Sequence, residues 1–304
     1  MTLMRNLPGD AARNICLFVL FLICILKIDV HGQKSIPACE ACAAWNAPQQ
    51  PFKVYGNTYY VGPHGLSSIL ITSKAGDVLI DGGLPDSAKQ IRDHIRVLGF
   101  RIEDVKLIVN SHVHFDHAGG IAKLQRWSHA RVAASESSAA VMRKGGLGRD
   151  DPQYGILPPI AKVKRVERLR DGETLRIGDI AITAHLTPGH TPGGTSWTWK
   201  SCEGERCVDM VYADSLTPVS APGFKFSTDS QALRDFEKSF SFLENVPCDI
   251  LITTHPDVSG LWAKVERGGQ GATPDPMIDT NACRNVAANA REQLRKRLQT
   301  ESSN

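Results

Sequence analysis

The segment that decides the fold is Asn110-Ser111-His112-Val113-His114-Phe115-Asp116-His117-Ala118-Gly119-Gly120, which follows the apolar stretch 106–109. It places four side chains that can bind a metal within six positions. Residues two apart in extended backbone point the same way, so His112 and His114 can present both imidazoles to one ion. Asp116 and His117 lie past the turn and can face a second ion. The pattern predicts a centre for two metal ions.

Two further histidines complete the ligand set. His190 lies in the segment Thr187-Pro188-Gly189-His190-Thr191-Pro192-Gly193-Gly194, and His255 follows the apolar stretch 250–253. Each stands where a predicted strand gives way to a loop, a common place for site residues. A catalytic zinc needs three protein ligands and one open position, so the first segment alone cannot complete two sites. Imidazole with an occasional carboxylate suits Zn²⁺, and we expect two zinc ions per chain.

The remaining histidines of residues 33–304 are expected to have no metal role. They are His64, His94, His129 and His185. His185 lies on a predicted strand five residues before His190 and could face the same site. The Pro-Gly turn around His190 makes the latter the better ligand.

The two halves of the chain repeat one order of elements. The first half predicts antiparallel strands at 59–61, 68–72 and 78–80, a helix at 87–98 and a buried strand at 106–109. The second half predicts strands at 175–177, 180–185, 196–199 and 210–212, a helix at 231–243, a strand at 250–253 and a helix at 283–298. This order predicts two sheets packed face to face with helices outside, an α/β fold of the four-layered αββα type.

The first 32 residues have the pattern of a secretory signal peptide. Arg5 and Arg13 precede an apolar run at 15–26, and short polar residues follow. The run is shorter than the roughly 20 apolar residues that span a bilayer, so a cleaved signal is favoured over a membrane anchor. We expect a signal peptide at 1–32 and a single domain at 33–304, periplasmic or secreted.

Export also bears on the cysteines, because thiols pair in an oxidising compartment. Residues 33–304 contain an even set of six, which we pair in chain order: Cys39 with Cys42, Cys202 with Cys207, and Cys248 with Cys283. A zinc site of four thiolates is the rival interpretation, and exposed thiolates in an exported chain disfavour it. Whether Cys39 and Cys42 pair with each other stays open.

The composition is that of an ordinary globular protein, with 42% hydrophobic and 22% charged residues. The formal net charge is +3, and the basic residues are scattered along the chain. This distribution gives no basic stripe for nucleic acid, so we expect a small-molecule substrate and no nucleic-acid partner. We expect a monomer.

Three features together resemble the metallo-β-lactamase superfamily: the His-x-His-x-Asp-His motif at 112–117, the Pro-Gly-His-Thr-Pro-Gly-Gly motif at 188–194, and a late strand that ends in His255. The resemblance extends from Tyr55 to about His255. The stretch Ala213-Asp214-Ser215-Leu216-Thr217-Pro218 resembles the third (B-three) subclass of zinc β-lactamases, where a serine takes the place of a metal-bridging aspartate. Trp45-Asn46 and the pair Cys248 and Cys283 resemble that subclass too.

The resemblance implies a zinc β-lactamase that hydrolyses penicillins, cephalosporins and carbapenems with a zinc-bound hydroxide. It implies one zinc on His112, His114 and His190, and a second on Asp116, His117 and His255. Asp116 would also orient the nucleophile as a catalytic residue. Ser215 and Thr217 would bind the substrate carboxylate, the alternative being that they are ordinary loop hydroxyls.

Two other functions stay open at this point. The fold also hosts lactonases and glyoxalase-type thioesterases, in which an aspartate contacts the metals after the equivalent strand. Contact of Asp214 with metal would favour that alternative. The second is an exported metal-binding module without catalysis, which would bind zinc and leave no position open to substrate.

Overall fold

Two β-sheets lie face to face in the computed structural model, which describes residues 39–268 and 275–303. Side chains of both sheets share one apolar core, in which Ile80 and Val109 of the first sheet pack with Trp197 and Met210 of the second. The predicted signal peptide at 1–32 lies outside the described residues. Within the described ranges, no helix is long and apolar enough to cross a membrane.

The first sheet has seven strands in chain order. They are β1 (Phe52–Tyr55), β2 (Thr58–Tyr60), β3 (Ile69–Ile71), β4 (Asp77–Ile80), β5 (Val105–Val109), β6 (Arg131–Ser135) and β7 (Val166–Leu169). Neighbours from β1 to β4 are antiparallel, and those from β4 to β7 are parallel. β3 and β4 are buried along their whole length, as expected for apolar strands covered on both faces.

The second sheet has five strands. They are β8 (Thr174–Ile177), β9 (Ile180–Leu186), β10 (Thr195–Glu203), β11 (Arg206–Ala213) and β12 (Ile250–Thr253), in the spatial order β12-β11-β10-β9-β8. Pairs from β8 to β11 are antiparallel, whereas β11 and β12 are parallel. The carboxyl ends of β11 and β12 therefore meet at one edge.

Helices cover the outer faces of both sheets. The helices of the described residues are α1 (Cys42–Trp45), α2 (Ser87–Val97), α3 (Phe115–Ala118), α4 (Ile121–Ser128), α5 (Glu136–Lys144), α6 (Ser230–Asn245), α7 (Leu261–Arg267) and α8 (Ala282–Ser302). Of these, α7 packs against the core between the sheets through Leu261. Ile91 of α2, Leu124 of α4 and Met142 of α5 belong to the core outside the first sheet. Phe240 of α6 and Leu294 of α8 belong to the core outside the second. The predicted αββα sandwich is confirmed.

Four elements between the two sequence motifs were not predicted: α4, β6, α5 and β7. β6 reads Arg-Val-Ala-Ala-Ser, and alanine is depleted in strands, so only its pairing between the parallel strands β5 and β7 makes this stretch extended. β10 and β11 are longer than predicted because they continue into an exposed hairpin. In that hairpin Cys202 lies directly opposite Cys207.

Three disulfides join the six cysteines in chain order. Cys39 is bonded to Cys42 at the start of α1, and Cys202 to Cys207 across the hairpin. Cys248 is bonded to Cys283, which ties the residues before β12 to the first turn of α8. All six cysteines of the described residues are paired, so none of these six is free for the rival four-thiolate zinc site.

Candidate metal centre

The six predicted ligands meet at the edge where β5, β9 and β12 end. His112 and His114 lie on the loop after β5, and Asp116 and His117 on the single turn α3. His190 follows β9 and His255 follows β12. Because these strands lie in both sheets, the ligands come from both halves of the sandwich.

Ligand atoms within this cluster are close enough to share metal ions. His112, His114 and His190 each offer one atom within 4.8 Å of the others, and so do His112, Asp116 and His117. His117 Nε2 lies 3.1 Å from Asp116 Oδ2, and His255 Nε2 lies 3.4 Å from the same oxygen. The structure thus brings all six together. His255, whose side chain is 27% exposed, forms the open side of the cluster.

Contacts at the Nδ1 atoms of His112 and His190 leave the Nε2 atoms of the same two rings available to a metal. His112 Nδ1 faces Asp214 Oδ1 at 2.7 Å, and His190 Nδ1 donates to the carbonyl oxygen of Thr217 at 2.8 Å. The Nε2 atom of His112 is buried and has no hydrogen-bond partner among the described residues. An unpartnered buried nitrogen is costly, so a metal ion fits this donor set.

The partner of His114 comes from the loop between α5 and β7. Both carboxylate oxygens of Asp151 lie near His114 Nε2, at 3.2 and 3.3 Å, whereas Nδ1 has a longer contact, 3.4 Å, with the side-chain amide nitrogen of Gln153. Nδ1 is therefore the nitrogen more available to a metal. The backbone N–H of Gln153 donates to Asp151 at 2.8 Å and fixes its orientation. Asp151 was not predicted from the sequence, because no spacing relates it to the histidine motif.

Asp81 supports the histidine loop from behind. Its carboxylate accepts hydrogen bonds from the backbone N–H and the hydroxyl of Ser111, both at 2.7 Å, and from the hydroxyl of Tyr212 at 2.8 Å. It also lies 3.9 Å from His117 Nδ1. Its φ of 62° is in the left-handed region, which aspartate tolerates better than most residues. Asp81 was not predicted from the sequence, and the available signal was the Asp-Gly-Gly sequence at 81–83 directly after an apolar strand.

Charge and burial set the protonation of the cluster. Burial lowers the pKa of His112 well below its usual value, and the neighbouring imidazoles lower it further. Burial and His114 together lower the pKa of His190 to about 3. Both rings are therefore neutral, the form that binds metals. Burial opposes ionisation of Asp116, but His117 and His255 hold its pKa well below the usual range, so it is a carboxylate.

A cavity of about 380 Å³ opens onto the cluster. The two residues predicted to bind substrate, Ser215 and Thr217, both line it. The Ser215 hydroxyl is hydrogen-bonded to the Thr254 hydroxyl at 2.8 Å. Thr217 has a further contact through its carbonyl oxygen, which accepts from His190. No lysine or arginine is found among the described residues that line the cavity.

The four histidines expected to have no metal role lie outside the ligand groups found in the described part of the chain. His185 Nε2 contacts the Thr198 hydroxyl at 2.9 Å and its ring stacks on Phe242, on the outer face of the second sheet. His94 Nδ1 donates to the carbonyl oxygen of Val61 at 2.8 Å. His64 stacks on Trp262, and His129 ends α4 in a left-handed conformation.

A histidine-rich metal centre at the edge of an αββα sandwich defines a class of metal-dependent hydrolases. Residues 61–255 match the sequence model described as "Metallo-beta-lactamase superfamily". The chain belongs to the metallo-β-lactamase superfamily, as its motifs predicted.

Solved structures of high similarity are metallo-β-lactamases. The chain is 56% identical to the Rm3 metallo-β-lactamase, over 88% of this chain and 100% of that one, with a TM-score of 0.85. It is 49% identical to MEM-A1, a subclass B3 metallo-β-lactamase from a soil metagenome library, over 85% and 99% of the two chains, with a TM-score of 0.83. The predicted resemblance to the B-three subclass is confirmed.

A curated relative from outside this subclass is more distant. The N-acyl homoserine lactonase AttM of Agrobacterium fabrum is 27% identical over 224 residues, which cover 65% of this chain and 83% of that protein. This similarity reflects the shared superfamily.

Proposed function

We propose that the chain is a zinc β-lactamase that opens the amide bond of penicillins, cephalosporins and carbapenems. The observation that carries the proposal is the position of Asp214. The Oδ1 atom of Asp214 lies 2.7 Å from His112 Nδ1. Asp214 belongs to neither ligand group of the described residues. The lactonase and thioesterase alternative needs a carboxylate on the metals at this point of the chain. Asp214 and the following Ser215 both line the cavity, but Asp214 contacts the metal centre through the Nδ1 atom of His112 and is not grouped with the ligands.

We propose two zinc ions, one on His112, His114 and His190 and the other on Asp116, His117 and His255. Zinc, when bound, lowers the pKa of a water molecule to about 7 and polarises a carbonyl group. The neutral state of His112 and His190 and the ionised state of Asp116 suit this donor set.

The chain's own residues orient the reactants. Asp116 stays ionised at neutral pH, so its carboxylate can accept a hydrogen bond from the attacking water and direct it toward the lactam carbonyl. The hydroxyls of Ser215 and Thr217 can donate to the substrate carboxylate. Without a lysine or arginine in the described lining, neutral hydroxyls are the protein donors available for that anion.

The cellular setting is part of the proposal. We propose that residues 1–32 direct export and are removed, leaving a single catalytic domain at 33–304 that works as a periplasmic or secreted monomer. Three disulfides support an oxidising compartment. We propose no nucleic-acid partner and no stable membrane anchor after cleavage.

The test is hydrolysis of nitrocefin and of a carbapenem by purified, zinc-loaded protein. We expect turnover that a chelator abolishes and added zinc restores, with two zinc ions per chain by elemental analysis. An acyl-homoserine lactone and a glutathione thioester serve as the competing substrates. Failure of the zinc-replete protein to open any β-lactam overturns the proposal, and preference for the lactone would establish the alternative.

A further inference from the structure

The C-terminal helix α8 forms one wall of the active-site cavity. Its lining residues are Val286, Asn289, Ala290 and Gln293, which are spaced as one face of a helix. α8 has seven charged residues among its 21, yet every member of this face is neutral. Arg291, for example, points the other way and forms ion pairs with Glu237 and Glu244 of α6.

Apolar side chains from two other segments extend the same wall. Leu216 and Val219 come from the loop after β11, and Val258 from the turn after His255. Val219 and Val258 are 48% and 52% exposed, unusual values for valine. A single exposed valine needs no explanation, but here two line the same cavity as the buried Val286 and Ala290. We call these five residues, Leu216, Val219, Val258, Val286 and Ala290, the apolar wall.

The apolar wall is continuous with the metal centre. His255 and Thr254 line the same cavity and precede Val258 by a few residues. The volume of about 380 Å³ is within the range of pockets that enclose a whole drug-sized ligand. A molecule held at the metal centre can therefore extend one substituent against the apolar wall.

The wall is held in place at both of its main segments. The Cys248–Cys283 disulfide anchors α8 one turn before Val286. At the other end of α8, Glu301 accepts hydrogen bonds from the backbone N–H groups of Phe226 and Ser227, which follow the loop that carries Val219. A wall fixed in this way can distinguish substituents by shape and polarity.

We propose that the apolar wall is a specificity-determining subsite that binds an aromatic or aliphatic substituent of the β-lactam. This inference rests on the proposed function. A neutral apolar substituent loses water against the wall, whereas a charged one meets no opposite charge on the cavity face of α8 and loses hydration against the apolar side chains. The wall therefore favours substrates with apolar side chains over the unsubstituted nucleus.

The experiment compares benzylpenicillin, which carries a phenylacetyl side chain, with 6-aminopenicillanic acid, which lacks it. Ala290→Glu places a charge in the wall, and we expect about a tenfold loss of kcat/KM for benzylpenicillin, mostly through KM. For 6-aminopenicillanic acid we expect a change within about twofold. The matched control is Ala288→Glu, which puts the same charge on an exposed position of α8 outside the cavity. We expect this control to have the wild-type kcat/KM for both substrates.

A second variant covers the case in which Ala290→Glu does not fold. Val219→Asp alters the wall at an exposed loop position, and we expect the same selective loss with benzylpenicillin. An unchanged ratio of the two substrates in the wall variants, or an equal loss for both, overturns the subsite while the β-lactamase activity stands. Absence of turnover of both substrates by the zinc-loaded wild type overturns the proposed function, and the subsite with it.

Discussion

Asp214 Oδ1 lies 2.7 Å from His112 Nδ1, and both side chains are almost completely buried. The contact is on the edge of the imidazole away from Nε2, the nitrogen that has no hydrogen-bond partner among the described residues. A carboxylate at Nδ1 holds the ring in one orientation and makes the other nitrogen a better ligand. Asp214 is therefore a positioning residue, which acts on the metal through His112.

The first prediction concerns this pair. Asp214→Asn keeps the shape but replaces one carboxyl oxygen with an amide nitrogen, and we expect zinc affinity to fall about tenfold. Asp214→Ala removes the contact with His112, and we expect about a 100-fold loss. Competition with a chromophoric chelator measures the zinc affinity of both variants. Asp179→Asn, on the exposed turn between β8 and β9, is the control. Wild-type zinc affinity in Asp214→Ala would contradict the positioning role.

The second prediction tests why the Pro-Gly-His motif ends in two glycines. A Cβ on Gly194 would lie 2.4 Å from Asp214 Oδ2 and 2.4 Å from the carbonyl oxygen of Thr187. Gly194→Ala must displace the carboxylate or the backbone, and we expect a loss of about 1–3 kcal/mol in unfolding free energy. Weaker zinc binding should accompany it. Gly146→Ala meets no atom within 4 Å and should behave as wild type in denaturant titration and zinc competition.

A third prediction separates ligand from non-ligand residues. Asp116→Ala removes the carboxylate that contacts both His117 and His255. We expect one zinc ion per chain instead of two and a loss of kcat/KM of at least about 100-fold, since even an outer-shell change costs 10–100-fold. His185→Ala should retain two ions and near wild-type activity. Elemental analysis of the Asp116→Ala and His185→Ala proteins measures their zinc content. Equal zinc content in the two would show that Asp116 is not a ligand.

The fourth prediction is a pH dependence of stability away from the metal. Burial would raise the pKa of Glu301, but Arg297 and the N–H groups of Ser227 and Phe226 lower it from 4.5 to about 2. A carboxylate with a lowered pKa stabilises the fold above pH 4.5 and loses that contribution as the pH falls toward 2. We expect Glu301→Gln to cost about 2 to 3 kcal/mol at pH 7 and less at pH 3.

Urea unfolding of the oxidised protein at both pH values measures this difference. Glu205→Gln, in the exposed turn of the β10–β11 hairpin, is the matched control and should show no such dependence. If Glu301→Gln lowers the free energy of unfolding by the same amount at pH 7 and at pH 3, the charge of Glu301 does not contribute to stability.

The sequence alone determined the sandwich and the six side chains that meet at its edge. Apolar strands are recognisable because each is short, continuous and ended by a loop, as with 250–253 before His255. The ligands are recognisable because metal binding restricts the residue type, and extended backbone restricts the spacing of His112 and His114.

Only the tertiary structure decided which residues support those ligands. Asp151, Asp81 and Asp214 each contact a ligand histidine, but any of the 32 acidic residues could have been brought there without a change in local pattern. The cavity face of α8 is likewise set by how the helix docks on the second sheet. Local spacing encodes contacts within one segment, whereas contacts between distant segments depend on packing that no single segment specifies.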